Sequence, residues 1–335
     1  MSRRAAPKAN TEAAGEGNPM SGAARPEVLV VAPLMPFLME ALQRDYVVHD
    51  RIHMNDPDAF AAAAPRIRAV VANGEAKVPR ALMDRLPALE MISVFGVGYD
   101  GVDVPAAHER GVPVTNTPEV LNDDVADLAI GLLLSIARRI PQADRFVREG
   151  QWPQGPFPLN RKVSGARLGV VGMGRIGQAI AHRARAFGMQ IAYTARSPRA
   201  GVDYTYHPDA AALAAAVDFL VVITPGGAAT RGLIDARVLE ALGPEGYLVN
   251  VARGSVVDEA ALIAALSKGV IAGAALDVFA NEPTVPAELR ALPNVVLTPH
   301  MASGTRQTRE AMGQLTFDNL RAHFAGRPLL TPVEA

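Results

Sequence analysis

Three glycines at one spacing constrain this chain more than any other feature. Gly172, Gly174 and Gly177 follow directly on Leu168, Val170 and Val171, and an alanine-rich run from Ala179 to Ala186 comes after them. The apolar run predicts a short buried strand and the alanines predict a helix. Gly172 permits the turn between them, Gly174 lets the backbone approach a ligand with no Cβ in the way, and Gly177 lets the helix sit close to the strand. Free N–H groups and the dipole at the helix N-terminus favour an anion there. Glycines so spaced are common by themselves. With a strand before and a helix after, they read as a dinucleotide pyrophosphate cradle formed by Gly172, Gly174, Arg175, Ile176 and Gly177.

At 335 residues the chain exceeds what one hydrophobic core usually organises, so two domains are expected. The 33 basic and 34 acidic side chains leave a net charge of −1, with no global field to recruit nucleic acid or an anionic membrane. There is no cysteine, which excludes disulfides, thiolate zinc sites and a cysteine nucleophile. The seven histidines are scattered without ligand spacing, so no metal site is expected. The longest apolar tract, 125–137, is broken by Asp127 and is too short to span a bilayer. Residues 1–25 show no periodicity, and the Arg3-Arg4 pair is not followed by the apolar segment of an export signal. They are expected to form a disordered tail, and the protein is expected to be cytoplasmic.

From residue 27 the pattern alternates. Strands are predicted at 28–32, 46–49, 69–72 and 91–95, with helices around 39–44, 58–64, 79–86 and 105–110. Such alternation implies a parallel sheet with helices on both faces. Asn73 and Gly74, and then Val97 and Gly98, fall beyond strand carboxyl ends, where open parallel sheets bind ligands. Both loops read either as tight turns or as an anion nest for a small carboxylate. Asn122, Asp123 and Asp124 offer N-caps for a long helix through residue 136. Residues 141–163, with Trp152 among prolines, read as a loop that makes an oligomer contact. After the glycine motif, strands at 190–194, 219–223, 247–251, 273–276 and 295–298 alternate with helices near 210–216, 235–241 and 259–266, a Rossmann pattern. A last helix covers 307–324.

The end of the second strand after the motif bears on the cofactor. An NAD site places an acidic side chain there to bond the ribose 2′-OH. Between residues 190 and 202 there is no Asp or Glu; Ala195, Arg196, Ser197 and Arg199 stand there instead. A guanidinium beside a hydroxyl suits a 2′-phosphate that a carboxylate would repel. NADPH is therefore expected, with NADH as a weaker alternative. Three further strand ends carry Arg253, Glu282 and His300. Singly each has an ordinary reading, as an ion-pair partner, a turn charge and a loop histidine. Jointly they make a complete set for reducing a carbonyl.

With these residues in place the chain resembles the D-isomer-specific 2-hydroxyacid dehydrogenase family, over residues 28–333. The resemblance rests on the glycine motif, on Val251 to Gly254 followed by Val257 and Asp258, on Ala275 to Phe279 followed by Glu282 and Pro283, and on Thr298, Pro299 and His300. It implies an α/β architecture: a Rossmann dinucleotide-binding domain, a smaller flavodoxin-like substrate domain and an interdomain cleft. The substrate domain would be discontinuous, 26–117 and 301–335. The Rossmann domain would span 118–300, with a linking helix and a dimer loop, and the hinge would lie near Thr117 and His300. The resemblance places Thr224, Pro225 and Val251 at the cofactor and Asp277 on its nicotinamide side. It makes His300 the general acid, Glu282 the partner of its other ring nitrogen, and Arg253 the holder of the substrate carboxylate with the N–H groups of Val97 and Gly98. A homodimer is implied as well.

Within the family the chain looks most like the NADPH-preferring glyoxylate/hydroxypyruvate and hydroxyphenylpyruvate reductases, through Tyr193 to Ser197, Ala241 to Gly246 and Gly326 to Pro332. The implied reaction is reduction of a small 2-oxo acid to a D-2-hydroxy acid. An arylpyruvate substrate is the alternative, with Met54, Trp152 and Met301 as candidate pocket wall. A nucleotide-sensing corepressor on the same fold is a further alternative, against which the intact Arg253, Glu282 and His300 speak. Formate dehydrogenases carry an amide where Glu282 stands. The segment 224–230 departs from the family pattern and is expected on the adenosine side of the cofactor.

Overall fold

The structure, a computed structural model, describes residues 24–334. Most of the expected tail lies outside the described residues. Arg25, assigned to that tail, is instead tied down, its Nη1 donating to the carbonyls of Gln43 and Arg44 at 3.0 and 3.3 Å.

Short runs of Val, Ile, Leu and Ala form strands, the central ones buried on both faces as parallel sheets covered by helices require, the edge strands Val47–Asp50 and Thr205–His207 less so. Five of them, β1 (Glu27–Val30), β2 (Val47–Asp50), β3 (Ile67–Asn73), β4 (Met91–Phe95) and β5 (Val114–Thr115), make a parallel sheet in the order β2-β1-β3-β4-β5. That is the flavodoxin-like order. Seven more, β6 (Arg167–Val171), β7 (Gln190–Thr194), β8 (Thr205–His207), β9 (Phe219–Val222), β10 (Tyr247–Asn250), β11 (Gly273–Leu276) and β12 (Val295–Leu297), make a second parallel sheet. Its order is β12-β11-β10-β9-β6-β7-β8, a Rossmann sheet whose direction of winding reverses between β6 and β9.

The C-terminal helix Arg306–Phe324 lies on the first sheet. Phe317 meets the ring of Tyr46 edge-on at 6.1 Å, the Ser93 hydroxyl donates to the carbonyl of Thr316 at 3.4 Å, and Pro332 bridges to Thr115. The long helix Asn122–Arg138 packs on the second sheet, with Ile136 against Gly273. Its capping differs from the sequence reading. Leu121 occupies the N-cap without a side-chain bond, and Asp123 and Asp124 sit in the first turn. There they have other partners: Asp123 and Asp127 share Arg183, and Asp124 accepts from the Thr305 hydroxyl at 2.5 Å.

Residues 141–163 are not wholly loop. Pro141 opens a helix, Ile140–Arg148, because a proline at the first turn removes an N–H that has no partner there anyway. The strands β5 and β8 went unpredicted. β5 has two residues, and β8 is a short edge strand with no fully buried side chain, so neither carries an apolar period. Among the described residues no helix is long and apolar enough to cross a membrane.

Candidate active site

The carboxyl ends of both sheets open onto one cleft of about 730 Å³. The loops after β1, β3 and β4 supply Leu34, Asn73, Gly74, Val97 and Gly98; those after β6, β9, β10, β11 and β12 supply Gly174, Thr224, Arg253, Asp277 and His300. Both sheets therefore present the loops at the carboxyl ends of their strands, which is where open parallel sheets bind ligands. Of the residues singled out from sequence, Arg175, Ile176, Gly172, Gly177, Pro225 and Val251 also line this cleft.

The glycine turn is built as its chemistry demands. Gly172 has φ of +104°, and a Cβ on it would come 2.7 Å from the carbonyl oxygen of Ile223. A Cβ on Gly177 would collide with the carbonyl of Gly172, so the helix Arg175–Arg185 sits directly on the turn. At Gly174 an added Cβ would meet nothing within 4 Å. The turn is thus closed on the protein side and open on the cleft side, and the helix N-terminus carries no side-chain cap. Nearby, the Thr224 hydroxyl is buried without a hydrogen-bond partner. An uncapped N-terminus, an open glycine and an orphaned hydroxyl fit a pyrophosphate-bearing dinucleotide.

His300 follows β12 at a left-handed φ of +49°, a conformation that a non-glycine residue adopts only where its surroundings insist. Asp277 provides that insistence. It is fully buried, and its carboxylate accepts from the Thr298 hydroxyl at 2.6 Å and from the N–H groups of Met301 and Ala302, each at 2.9 Å. Burial raises the Asp277 pKa, and those three bonds oppose the rise.

The imidazole is oriented by Glu282. The Glu282 carboxylate accepts from the N–H of Phe279 at 2.8 Å and lies 2.7 Å from His300 Nδ1. A carboxylate only accepts, so Nδ1 carries the proton and Nε2 is left for the cleft. A second carboxylate, Glu75, stands 3.0 Å from the same Nδ1. Burial alone would depress the histidine pKa, but the bonds to Glu282 and Glu75 outweigh it and hold it up at about 9. The Glu75 pKa is lowered in turn, chiefly by His300. Glu75, Glu282 and His300 also form, among the described residues, the one group with metal-like spacing. The hydrogen bond from Nδ1 to Glu282 already gives that spacing a purpose, which is to hold a proton.

Arg253 leaves β10 and turns its guanidinium across the loop of the other sheet. Nε lies 3.3 Å from Asp100 Oδ1, and Nη1 donates to the Ala252 carbonyl at 2.8 Å. The guanidinium rests over Gly98 so closely that a Cβ there would collide with it. Among the described residues the N–H groups of Gly74, Val97 and Gly98 have no hydrogen-bond acceptor. An anion placed against Arg253 would therefore meet unpaired donors as well.

Some sequence expectations are corrected. Met54, Trp152 and Met301 do not line the cleft; all three are exposed, because loop position is not set by any periodicity. Leu34, Met35, Tyr99 and Met312 form apolar wall instead. The 224–230 segment is expected on the adenosine side, yet a Cβ on Gly226 would come 2.7 Å from Asp100 Oδ2 and 3.0 Å from Arg253 Cγ. That glycine lies against the Asp100–Arg253 pair. Ala195, Arg196 and Ser197 lie outside the cleft lining, on a rim past β7 where Arg196 and Ser197 are exposed. Arg199 is partly committed, its N–H to the Tyr193 hydroxyl at 2.8 Å and its Nε to the Met173 carbonyl at 3.2 Å. The sequence reading missed Glu75, Asp100 and Arg309, whose relevance comes only from the partners that folding brings to them. For Glu75, adjacency to Asn73 and Gly74 was the available signal.

The NAD-binding domain of the D-isomer-specific 2-hydroxyacid dehydrogenases matches residues 130–302. This chain belongs to that family. It is thus an NAD(P)-dependent oxidoreductase acting between 2-hydroxy and 2-oxo acids. The dehydrogenase is 48% identical over 309 residues to a hydroxyphenylpyruvate reductase of Plectranthus scutellarioides, covering 91% of this chain and 98% of the relative. It is 52% identical over 267 residues to glyoxylate/hydroxypyruvate reductase A of Arabidopsis thaliana, covering 80% and 85%. Among solved structures, an NADPH-dependent glyoxylate/hydroxypyruvate reductase of Sinorhizobium meliloti, in complex with NADP and malonate, superposes with a TM-score of 0.87 at 49% identity, covering 92% and 97%.

Proposed function

We propose that this dehydrogenase is an NADPH-preferring reductase of small 2-oxo acids, glyoxylate and hydroxypyruvate, and that it yields D-2-hydroxy acids. The observation that carries the reading is His300, its Nδ1 held 2.7 Å from Glu282, facing the same cleft as Arg253 and the unpaired N–H groups of Val97 and Gly98. The relatives named for these substrates, and the NADP-bound neighbour, support it.

In this reading Gly172, Gly174, Arg175, Ile176 and Gly177 hold the pyrophosphate, with Thr224, Pro225 and Val251 along the dinucleotide and Asp277 near its nicotinamide. Ala195, Arg196 and Ser197 receive the 2′-phosphate. The bound dinucleotide supplies the hydride that reaches the carbonyl carbon. Arg253 takes the substrate carboxylate, exchanging its ion pair with Asp100 for one with the ligand. The N–H groups of Val97 and Gly98, with Asn73 and Gly74 beside them, complete that anion site. As negative charge grows on the carbonyl oxygen, Nε2 of His300 gives its proton to that oxygen, and Glu282 stabilises the imidazolium until then. Reversal of each step oxidises the hydroxy acid.

The same proposal includes closure of two units over the substrate, 26–117 with 301–335 against 118–300, hinged near Thr117 and His300. It also includes a homodimer. Ile140, Val147, Trp152 and Leu159 expose apolar surface along one arm of the chain, and Trp152 is 67% exposed. Such a patch is a surface for a second copy. A cytoplasmic setting, where a pool of reduced nicotinamide is at hand, completes it.

The test is the initial rate of NADPH and NADH oxidation with glyoxylate, hydroxypyruvate and 4-hydroxyphenylpyruvate at matched concentrations. Fast NADPH-linked turnover of the first two is expected. Preference for the aryl acid would replace the substrate assignment, and tight cofactor binding without turnover would revive the corepressor alternative.

A further inference from the structure

Two carboxylates converge on one nitrogen of His300, and they come from different sheets. Glu282 belongs with the second sheet, as His300 does; its Oε2 lies 2.7 Å from Nδ1 and its Oε1 accepts from the N–H of Phe279 at 2.8 Å. Glu75 stands just beyond β3 of the first sheet, and its Oε1 lies 3.0 Å from the same Nδ1. That nitrogen has a single N–H to give. Glu282, the nearer of the two and itself held by a backbone N–H, takes it and so sets the tautomer and the aim of the ring. For that task a second carboxylate is redundant.

What Glu75 adds is charge, carried on a turn that fixes its backbone. Asn73 Oδ1 accepts from the N–H groups of Glu75 and Ala76 at 3.1 and 2.9 Å, closing the chain beyond the strand end. The charged groups around the imidazole are Glu75, Glu282, Asp277, Arg253 and Arg309. The Asp277 carboxylate is committed to Thr298, Met301 and Ala302. His300 first, then Arg253 and Arg309, hold the Glu75 carboxyl below its usual range against the effect of burial, so Glu75 is ionised at neutral pH. An imidazolium between Glu75 and Glu282 balances two negative charges. A neutral ring leaves them facing each other across one N–H, so the charged ring is preferred.

We propose that Glu75 is a positioning residue for proton transfer, reaching across the cleft to hold the His300 ring at Nδ1 and keep it charged until the carbonyl oxygen at Nε2 takes the proton. Its contact is with the far nitrogen of the ring, and it touches no reacting atom. The inference rests on the reductase reading above for the fate of the proton alone. Because Glu75 and Glu282 stand on different sheets, the bracket around the imidazole is made where the two sheets meet, and neither sheet supplies it by itself.

The experiment is the pH dependence of kcat/KM for glyoxylate reduction with NADPH in the wild type and in Glu75→Gln, beside an NMR titration of the His300 ring in both proteins without substrate, its signal assigned through His300→Ala. Gln keeps the shape and an acceptor oxygen but loses the charge. In the wild type both readouts should break near pH 9, where the partners of His300 hold its pKa. In Glu75→Gln both should move to lower pH by about one unit, because the charged ring loses one of its two charged acceptors and reduction needs that ring protonated. A lower rate with both midpoints unmoved would mean a structural contact only and would overturn the proposal. A wild type that reduces no 2-oxo acid, with an NMR midpoint that still moves in the variant, would overturn the reductase reading and leave the hold of Glu75 on His300 standing. The Glu75 side chain is 55% exposed, so folding should survive its replacement. Should it not, Asn73→Ala, which opens the turn beneath Glu75, is expected to lower the NMR midpoint in the same direction, and an unmoved midpoint would contradict the proposal.

Discussion

The two ends of the cleft are finished to different degrees. At the chemical end every group behind His300 is already bonded: Asp277 to three donors, Glu282 to Phe279 and to the imidazole. At the rim past β7, Arg196 and Ser197 are exposed and hold nothing in the described structure. The difference teaches where preorganisation is needed. A proton donor must be aimed before the substrate arrives, because a small misplacement costs rate. A contact that only selects between two cofactors can form as the ligand binds, with long side chains gathered from water at that moment.

The sharpest way to break this contrast is to remove the finished end. His300→Ala should lower turnover by about 10³-fold while leaving NADPH affinity within a few-fold, read by steady-state rates and by fluorescence titration of the cofactor. Near-normal turnover would mean that the proton comes from elsewhere. At the unfinished end the effect should be smaller and confined to one cofactor. Arg196→Ala should raise KM for NADPH by about tenfold and spare NADH, and an unchanged ratio of the two would remove Arg196 from the 2′-phosphate site.

The smallest effect separates the two faces of the glycine turn. Gly177→Ala should lower the thermal midpoint, at a cost of about 1–3 kcal/mol, because its Cβ meets the Gly172 carbonyl. Gly174→Ala faces open space, so its stability should stay within about 0.5 kcal/mol of the wild type while cofactor affinity falls. Equal stability loss in both would mean that the turn is not open toward the cleft.

The sequence carried the sheets well, because buried parallel strands such as Met91–Phe95 and Gln190–Thr194 are short apolar runs bounded by turns. It also carried Arg253, Glu282 and His300, since these lie in motifs at strand ends. What it could not carry depends on distant chain. Glu75 gains its importance from His300, Asp100 from Arg253, and Arg309 from the ring of Phe95. No local pattern announces such pairings. Trp152 shows the same limit from the other side: its residue type suits a pocket wall, and only tertiary placement puts it outside the cleft and at the surface.

The most direct test of the catalytic centre is the pH dependence of kcat for glyoxylate reduction by the wild type, with glycolate oxidation measured alongside. His300 acts as an acid in reduction, and its partners raise its pKa to about 9. Reduction should therefore be level through neutrality and fall about tenfold per pH unit above about 9, while oxidation, which needs the neutral imidazole, should rise over the same range. A reduction limb that falls near pH 6.5, the value of an unperturbed histidine, would contradict a proton held in place by Glu282.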